Sequence, residues 1–306
     1  MMKLEGMATF VAVAEAGSLS EAARRLRLSK SVVSERLGEL ERSLGAMLVH
    51  RTTRKLTLTE DGAAFLSRAT AILQDVETAE ADIAERRGTL AGRLRISAPV
   101  TFGRMHLGPA IYPFLAAHPL IELTLELDDR RVDVAADGYD AVVRHAPIED
   151  TRLTAWRLAP SRRLLVAAPA YLAKHGTPAS LDELAGHRGI FYRHRGVGDW
   201  RFAGAAAGGD ARVVRAKTVL NTNNGDVMRE AAVAGLGLAL LPTFIAADAI
   251  RSGALQVVDV GARAVEEFIY MAHPEGRKPS AKLRALAEHL RTTFGSPPPW
   301  ERGLNV

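Results

Sequence analysis

The tightest constraint in this 306-residue chain is a pair of short, capped helices joined by a brief turn near its start. Met7, Phe10, Val11, Val13 and Ala14 recur at helical spacing before Gly17, a residue suited to the left-handed turn that closes a helix. Ser18-Leu19-Ser20-Glu21 reads as a capping box, with the Ser18 hydroxyl taking the Glu21 amide and the Glu21 carboxylate reaching back to Ser18. Ala22, Ala23 and Leu26 make a narrow face that lets another helix cross closely. After Arg27-Leu28, Ser29 caps a third helix that turns Val33, Leu37, Leu40 and Leu44 inward, and Gly45 ends it. This is helix-turn-helix spacing, in which the second helix of the pair enters the DNA major groove by its N-terminal end. That end offers Ser29, Lys30, Ser31, Ser34, Glu35 and Arg36, groups able to bond base edges or phosphates. The bland alternative is the solvated face of an ordinary helical hairpin.

The next segment favours DNA. Leu48 to Thr59 alternates apolar and polar residues on both sides of a polar tip, a hairpin signal, and the tip gathers Arg51, Arg54 and Lys55. A basic hairpin directly after a helix-turn-helix is a wing, placed to touch phosphates and the minor groove. Net charge adds little, because the whole chain is only +5 and residues 1–60 carry ten basic against seven acidic groups.

Composition sets the outer limits. A chain of 306 residues is expected to hold two or three folding units. Its 47% hydrophobic and 25% charged content is that of an ordinary globular protein. With no cysteine, disulfides, thiolate metal sites and cysteine nucleophiles are excluded, which suits a reducing cytoplasm. Met1 to Gly6 lacks the apolar core of a signal peptide. The apolar run from Ala231 to Ile250 is broken by Gly235, Gly237, Pro242 and Asp248, so a buried helix-strand-helix is expected there and not a membrane span. A cytoplasmic protein is the expectation.

From Thr59 to Gly88 a proline-free helix is expected, capped by Thr59. Leu66, Ala69, Leu73, Val76 and Ile83 follow a heptad seam, and Phe65, Ile72 and Ala79 add a second stripe. A face so wide needs a partner, either a second copy or the chain's own core. Beyond it, Arg93 to Ala98 reads as a strand leading through Pro99-Val100-Thr101-Phe102-Gly103 into a helix, an arrangement that suits an anion at the helix N-terminus. Alternation from Ile121 to Leu127, a short helix near Val132 to Ala136 and a strand over residues 139–144 complete a βαβαβ order, which implies a parallel sheet. A similar unit follows. It has a strand over 164–168, a capping box at Ser180-Leu181-Asp182-Glu183, a strand over 213–220, Asn221-Thr222-Asn223-Asn224 leading to a helix over 225–234, and a buried strand ending at Pro242. Two α/β lobes leave a cleft between them for a small ligand.

Ser18-x-Ser20-x-Ala22-Ala23-x-x-Leu26-x-x-Ser29, Val33-Ser34, Leu40-Glu41-x-x-Leu44-Gly45-x-x-Leu48 and Arg51-x-x-Arg54-x-x-x-Leu58-Thr59-x-x-Gly62 together resemble the DNA-binding domain of LysR-type transcriptional regulators. Asp133, Gly138-Tyr139-Asp140, Arg144, Pro169-x-Tyr171-Leu172, Gly176-x-Pro178, Leu184, His187, Trp200 and Ala234-Gly235-x-Gly237 extend the resemblance to that family's effector domain. The family's glutamine and proline after the capping serine are Lys30 and Ser31 here, and its frequent phenylalanine is Val49. Those departures bear on the operator sequence. So does Glu35, which accepts from a cytosine amino group or repels phosphate.

The resemblance implies an α+β multidomain chain: a winged helix-turn-helix over 1–59, a linker and dimerisation helix over 60–90, and a two-lobed effector domain over 91–295 like periplasmic binding proteins. The first lobe is 91–160 with 267–295, the second 161–266, and 296–306 is a flexible tail, here read from its prolines. It implies promoter DNA with dyad symmetry, a small and anionic effector, and further copies of the chain as partners, in a homodimer and then a homotetramer. No cofactor or metal is implied. Thr101, Phe102, Arg144, Asn221, Thr222 and Asn223 carry over as effector-cleft candidates. Each polar one has a plainer alternative: a helix cap for Thr101, an ion pair for Arg144 with Asp140 or another carboxylate, and a polar turn for the Asn-Thr-Asn run.

An enzyme acting on a small anion is the rival reading. No metal-binding His-Glu-x-x-His or nucleophile elbow is present, and Gly235-Leu236-Gly237 lacks the third glycine of a dinucleotide loop. A ligand-independent architectural DNA binder is a third reading, but it has no use for two α/β lobes.

Overall fold

The computed structural model describes residues 3–51, 56–85, 89–130, 132–135, 137–145, 150–198, 200–204, 211–275 and 278–304. The chain forms two compact units, Met1–Gly92 with Asp133–Asp140, and Arg93–Val132 with Ala141–Val306.

In the first unit, α1 (Leu4–Ala16), α2 (Leu19–Leu26) and α3 (Lys30–Leu44) precede an antiparallel hairpin of β1 (Val49–Arg51) and β2 (Leu56–Leu58), and then the long α4 (Glu60–Glu85). Gly17 (φ 60) and Gly45 (φ 67) close α1 and α3 in the left-handed conformation, their amides donating to the Val13 and Glu41 carbonyls. Ser18 accepts from the Glu21 amide at 3.5 Å, but the Glu21 carboxylate does not make the expected return bond; Arg24 (2.7 Å) and Arg25 (3.2 Å) hold it instead. Bonds to two guanidinium groups outweigh one to an amide. Met7, Phe10, Val13, Ala22, Val33, Leu37 and Leu40 form the core, and Ala22 is fully buried where the helices cross. Glu41 is buried too. Its Oε1 accepts from the Leu48 (2.8 Å) and Val49 (3.3 Å) amides, fastening the wing strand to α3. A Cβ on Gly62 would stand 2.0 Å from the Leu48 carbonyl oxygen, so no side chain fits where α4 starts.

Over the first half of the expected dimer seam, part of the apolar face is taken up by the chain's own winged domain. Ala69 has 0% exposure and, with Phe65, Leu66 and Leu73, packs on the core of its own domain; the Phe65 and Phe10 rings lie 5.7 Å apart. A heptad period marks a face that must be buried without saying whose surface buries it, and here α1 takes that place. Of the second stripe, Phe65 is thus taken up by the domain core, whereas Ile72 is 38% exposed and Ala79 exposed, so its later part is open. Val76 is half-buried, and the Ile83 side chain lies outside the described residues.

The second unit begins with β3 (Gly92–Ala98), α5 (Val100–Phe102), a π-helical turn at Gly103–Leu107, α6 (Gly108–Ala117), β4 (Ile121–Leu127), β5 (Ala141–His145) and β6 (Leu153–Pro160). The chain then crosses to the second lobe, made of β7 (Arg163–Ala167), α7 (Pro169–His175), β8 (Arg188–Tyr192), β9 (Arg201–Phe202), β10 (Arg212–Val213), β11 (Lys217–Thr222), α8 (Gly225–Val233), β12 (Leu238–Pro242), α9 (Thr243–Arg251) and β13 (Gln256–Val257). It returns as β14 (Phe268–Pro274) and α10 (Ala281–Phe294). The two crossovers touch where the Ser161 amide donates to the Glu267 carbonyl at 2.8 Å.

Both sheets are mixed, not parallel, with strand orders β4-β3-β5-β14-β6 and β11-β8-β12-β7-β13. β3 pairs parallel with β5, and β8 parallel with β11 and β12; the strands next to a crossover run the other way, β14 on β5 and β12 on β7. A chain that enters and leaves each lobe through a hinge returns a strand antiparallel to the rest. The run from Ala231 to Ile250 is helix, strand and helix, with β12 buried throughout.

Four further expectations are corrected. Val134–Ala135 is a turn in place of the short helix expected over Val132 to Ala136, with Val132 and Asp133 outside any helix or strand and Ala136 outside the described residues. The capping box at Ser180 opens a 3-10 turn (Glu183–Gly186) and not an α-helix. The strand over 213–220 is split between β10 and β11. The segment after Gly295 packs in place of forming a loose tail: Trp300 is 5% and Glu301 8% exposed. Its three prolines suggest a linker, but a tryptophan follows them, and the burial of its large apolar surface decides the outcome. Among the described residues no helix is long and apolar enough to cross a membrane.

Candidate functional sites

On the first unit, the N-terminal turn of α3 projects from the domain. Lys30, Ser31 and Glu35 are exposed and Ser34 half-exposed, while Val33 and Leu37 on the opposite side have 0% exposure. Ser29 serves as the helix cap, its Oγ accepting the Val32 amide at 3.3 Å with the Ser31 hydroxyl 2.8 Å away. Arg36 leans toward α1 and pairs with Glu5 at 3.1 Å. Arg51 lies on β1; Arg54 and Lys55 fall outside the described residues.

In the second unit a cavity lies between the lobes. Pro99, Thr101, Phe102, Asp129 and His145 line it from the first lobe, and Arg163, Tyr192, Arg195, Met228, Leu240 and Phe244 are among its second-lobe walls. Direct bonds draw the lobes together around it. The Thr101 hydroxyl donates to Asp226 at 3.1 Å, Arg104 reaches the same carboxylate at 2.9 Å, and His106 Nε2 is 2.9 Å from the Phe244 carbonyl. A Cβ on Gly225 would stand 2.5 Å from Ile245 and 3.3 Å from the Thr101 hydroxyl, so glycine permits this approach. The enclosed space is about 30 Å³, room for roughly two water molecules.

Charge is concentrated in the cavity wall. Arg195 grips Glu267 with two bonds, 2.5 and 2.8 Å, and donates to His145 Nδ1 at 3.2 Å. Burial alone would raise the Glu267 carboxyl, but the two bonds from Arg195, with the Arg163 charge nearby, outweigh it and hold it well below the usual carboxylate range. Burial, helped by the Arg195 charge, depresses His145, consistent with a neutral imidazole whose Nδ1 accepts from the guanidinium. Across the cavity, burial raises Asp129, whose Oδ1 takes the Val100 amide at 3.1 Å. Burial and the neighbouring Asp129 push the Tyr192 phenol upward. Arg163 is 7% exposed and donates to the Leu240 carbonyl at 2.8 Å.

Of the cleft candidates drawn from the sequence, Thr101 and Phe102 line the cavity; Arg144, Asn221, Thr222 and Asn223 are not among its lining residues. Arg144 donates to Ser97 Oγ (3.0 Å) and to the Val143 (2.7 Å) and Arg130 (3.3 Å) carbonyls. Asn221 and Thr222 end β11 and Asn223 is a bend; Thr222 Oγ1 accepts the Asn224 amide at 3.3 Å, and Asn224 caps α8 through the Val227 amide at 3.0 Å. Asp129, His145, Arg163, Tyr192, Arg195 and Glu267 were not singled out. Only Arg163 carries a sequence signal, a cation opening a wholly apolar strand.

A helix-turn-helix domain with a wing, a long helix and a two-lobed α/β domain closed around a cavity define a ligand-responsive DNA-binding protein. Residues 4–63 match the bacterial regulatory helix-turn-helix proteins of the LysR family, and residues 87–295 match the LysR substrate binding domain. An HTH-type transcriptional repressor of Pseudomonas aeruginosa is 32% identical over 97% of this chain and 94% of its own. The full-length virulence activator AphB of Vibrio cholerae superposes with a TM-score of 0.59 at 26% identity, covering 94% of this chain and 98% of that one. CrgA of Neisseria meningitidis gives 0.57 at 30% identity over 94% and 98%. The chain belongs to the LysR-type transcriptional regulators. It is a DNA-binding regulator with an effector-binding domain and not an enzyme; regulators of this family bind DNA and small-molecule effectors and form oligomers.

Proposed function

We propose that this regulator reads a dyad-symmetric promoter with the N-terminal turn of α3 and changes its grip when a small anionic metabolite enters the interlobe cavity. The exposed group Lys30, Ser31, Ser34 and Glu35 on a helix whose other face is buried carries the DNA reading. Arg51, Arg54 and Lys55 supply phosphate contacts from the wing. For the effector, two arginines in a wall that also holds Thr101, His145 and a single acid, Asp129, among apolar and aromatic groups favour a carboxylate on a compact hydrocarbon body, with Thr101, Phe102, Arg163 and Arg195 as its contacts. Ligand entry and lobe closure are one equilibrium, so a ligand that prefers the closed form shifts the dimer's geometry on DNA. Dimerisation runs along α4, with Ile72 and Ala79 facing the partner and Leu73 and Val76 at the edge. The protein works in the cytoplasm, where promoters are.

Binding of labelled promoter fragments by fluorescence anisotropy tests the DNA assignment. Arg54→Ala is expected to weaken all sequences alike and to lower the salt dependence by about one charge, whereas Ser34→Ala changes sequence preference. Equal effects of both variants on matched and scrambled fragments would remove α3 from base reading.

A further inference from the structure

We propose that residues 296–302 are a strap that ties the two lobes together beside the hinge and limits how far the cleft opens. α10 leaves the first lobe at Phe294, and six residues later Trp300 stands among rings of both lobes. Its centroid lies 5.8 Å from Phe102, 4.7 Å from His106 and 5.5 Å from Phe294 in the first lobe, and 6.3 Å from Phe244 in the second. Glu301 extends the hold. Its Oε1 accepts from the hydroxyl of Thr243, the first residue of α9, at 2.7 Å, and its Oε2 accepts from Arg162 Nε, in the first crossover, at 3.0 Å. From the far end of α9, Arg251 donates to the Trp300 (2.6 Å) and Arg302 (3.0 Å) carbonyls. One stretch of chain is thus anchored by rings to the first lobe and by charges to the second.

The position of these anchors makes the contact more than a packed terminus. Phe102 and Phe244 both line the cavity and meet edge to face at 5.2 Å, and the indole packs beside this pair, touching a ring from each wall of the cleft. Parting the lobes must either strip Trp300 from one set of rings or break the bonds of Glu301. Two crossovers define a hinge, and a third connection beside them adds contacts that must break before the lobes rotate about it. Pro297, Pro298 and Pro299 stiffen the link, since each fixes its own φ and shortens the slack a flexible linker would give.

The test needs no effector, so it stands or falls apart from the effector assignment. The chain has no cysteine, which permits spin labels at Leu120→Cys in the first lobe and Lys174→Cys in the second, both exposed. Full-length labelled protein is diluted with unlabelled protein and the interlobe distance measured by pulsed dipolar spectroscopy. A single narrow distance is expected for the otherwise unaltered chain. Glu301→Gln, which keeps the side-chain shape, is expected to broaden the distribution toward longer distances, and Trp300→Ala to raise the open population at least tenfold. Unchanged distributions in folded variants would overturn the strap. Hydrogen exchange on the unaltered protein gives a second reading that requires no variant to fold. The Glu301 and Arg302 amides, bonded to the Pro298 and Pro299 carbonyls, should exchange together with amides of the cleft walls. Faster, independent exchange of the strap would refute the coupling.

Discussion

Replacing Arg195 by methionine is expected to lower the stability of the two-lobed unit by about 3–5 kcal/mol, measured by urea unfolding near neutral pH. The guanidinium is the partner that keeps a carboxylate charged in a nearly dry place: the Arg195 and Glu267 side chains are 17% and 9% exposed. Without it Glu267 is left as an uncompensated charge, which is why the double change Arg195→Met with Glu267→Leu should recover most of the loss. The pH dependence has a definite sign. Glu267 and His145 both titrate lower in the folded protein than in the unfolded chain. Each therefore contributes stability that is complete above its unfolded pKa and is lost as pH falls through its folded one. His145 governs the window below its ordinary 6.5, and Glu267 the window below 4.5. Arg195 is part of what keeps His145 neutral, so in the methionine variant the imidazole can protonate beside Glu267. The gap between parent and variant should therefore narrow between about pH 7 and pH 5.5. A gap that widens on acidification would show that the Arg195 group is wrongly assigned.

Ile72→Arg is expected to abolish assembly while leaving the domain folded. The residue is 38% exposed on α4, beside a stripe already turned onto its own core, so a charge there costs the single chain little. In a dimer seam the same charge is desolvated and meets its own copy. Sedimentation should return the single-chain mass of 33.0 kDa. Affinity for a two-site promoter should fall by about a hundredfold or more, because two linked half-site contacts become independent ones. Leu73→Arg is a less clean probe, since Leu73 also packs on the winged domain. An unchanged mass for Ile72→Arg would remove the open stripe of α4 from the interface.

These two predictions mark the boundary between what the sequence discloses and what it hides. The helix-turn-helix was legible because its signals are local: Ser18 and Ser29 cap, Gly17 and Gly45 close, and Leu37 and Leu40 recur at the spacing of one helix face. The α4 stripe was legible as apolar but not as to its partner, because periodicity records burial and not the identity of the covering surface. The cavity wall was hidden for another reason. Asp129, Arg163 and Arg195 line it from separate elements, and Glu267 stands behind Arg195 in the second crossover, so no spacing joins them. Asn221 to Asn223 show how a polar run is ambiguous from sequence, since Asn221 and Thr222 end a strand and Thr222 also bonds the Asn224 amide just before α8. At the C-terminus the prolines suggested slack, whereas Trp300 packs on rings of the first lobe and Glu301 bonds Thr243 of the second.

The central claim is that the N-terminal turn of α3 reads one operator as part of a two-fold assembly. Genome-wide mapping of crosslinked binding sites, for the unaltered chain and for Ser34→Ala, tests it most directly. The account predicts a single recurring sequence with dyad symmetry, its half-sites separated by whole helical turns, and altered base preference within those half-sites for the variant. Bound sites with no shared sequence, or a motif identical in the two proteins, would contradict it.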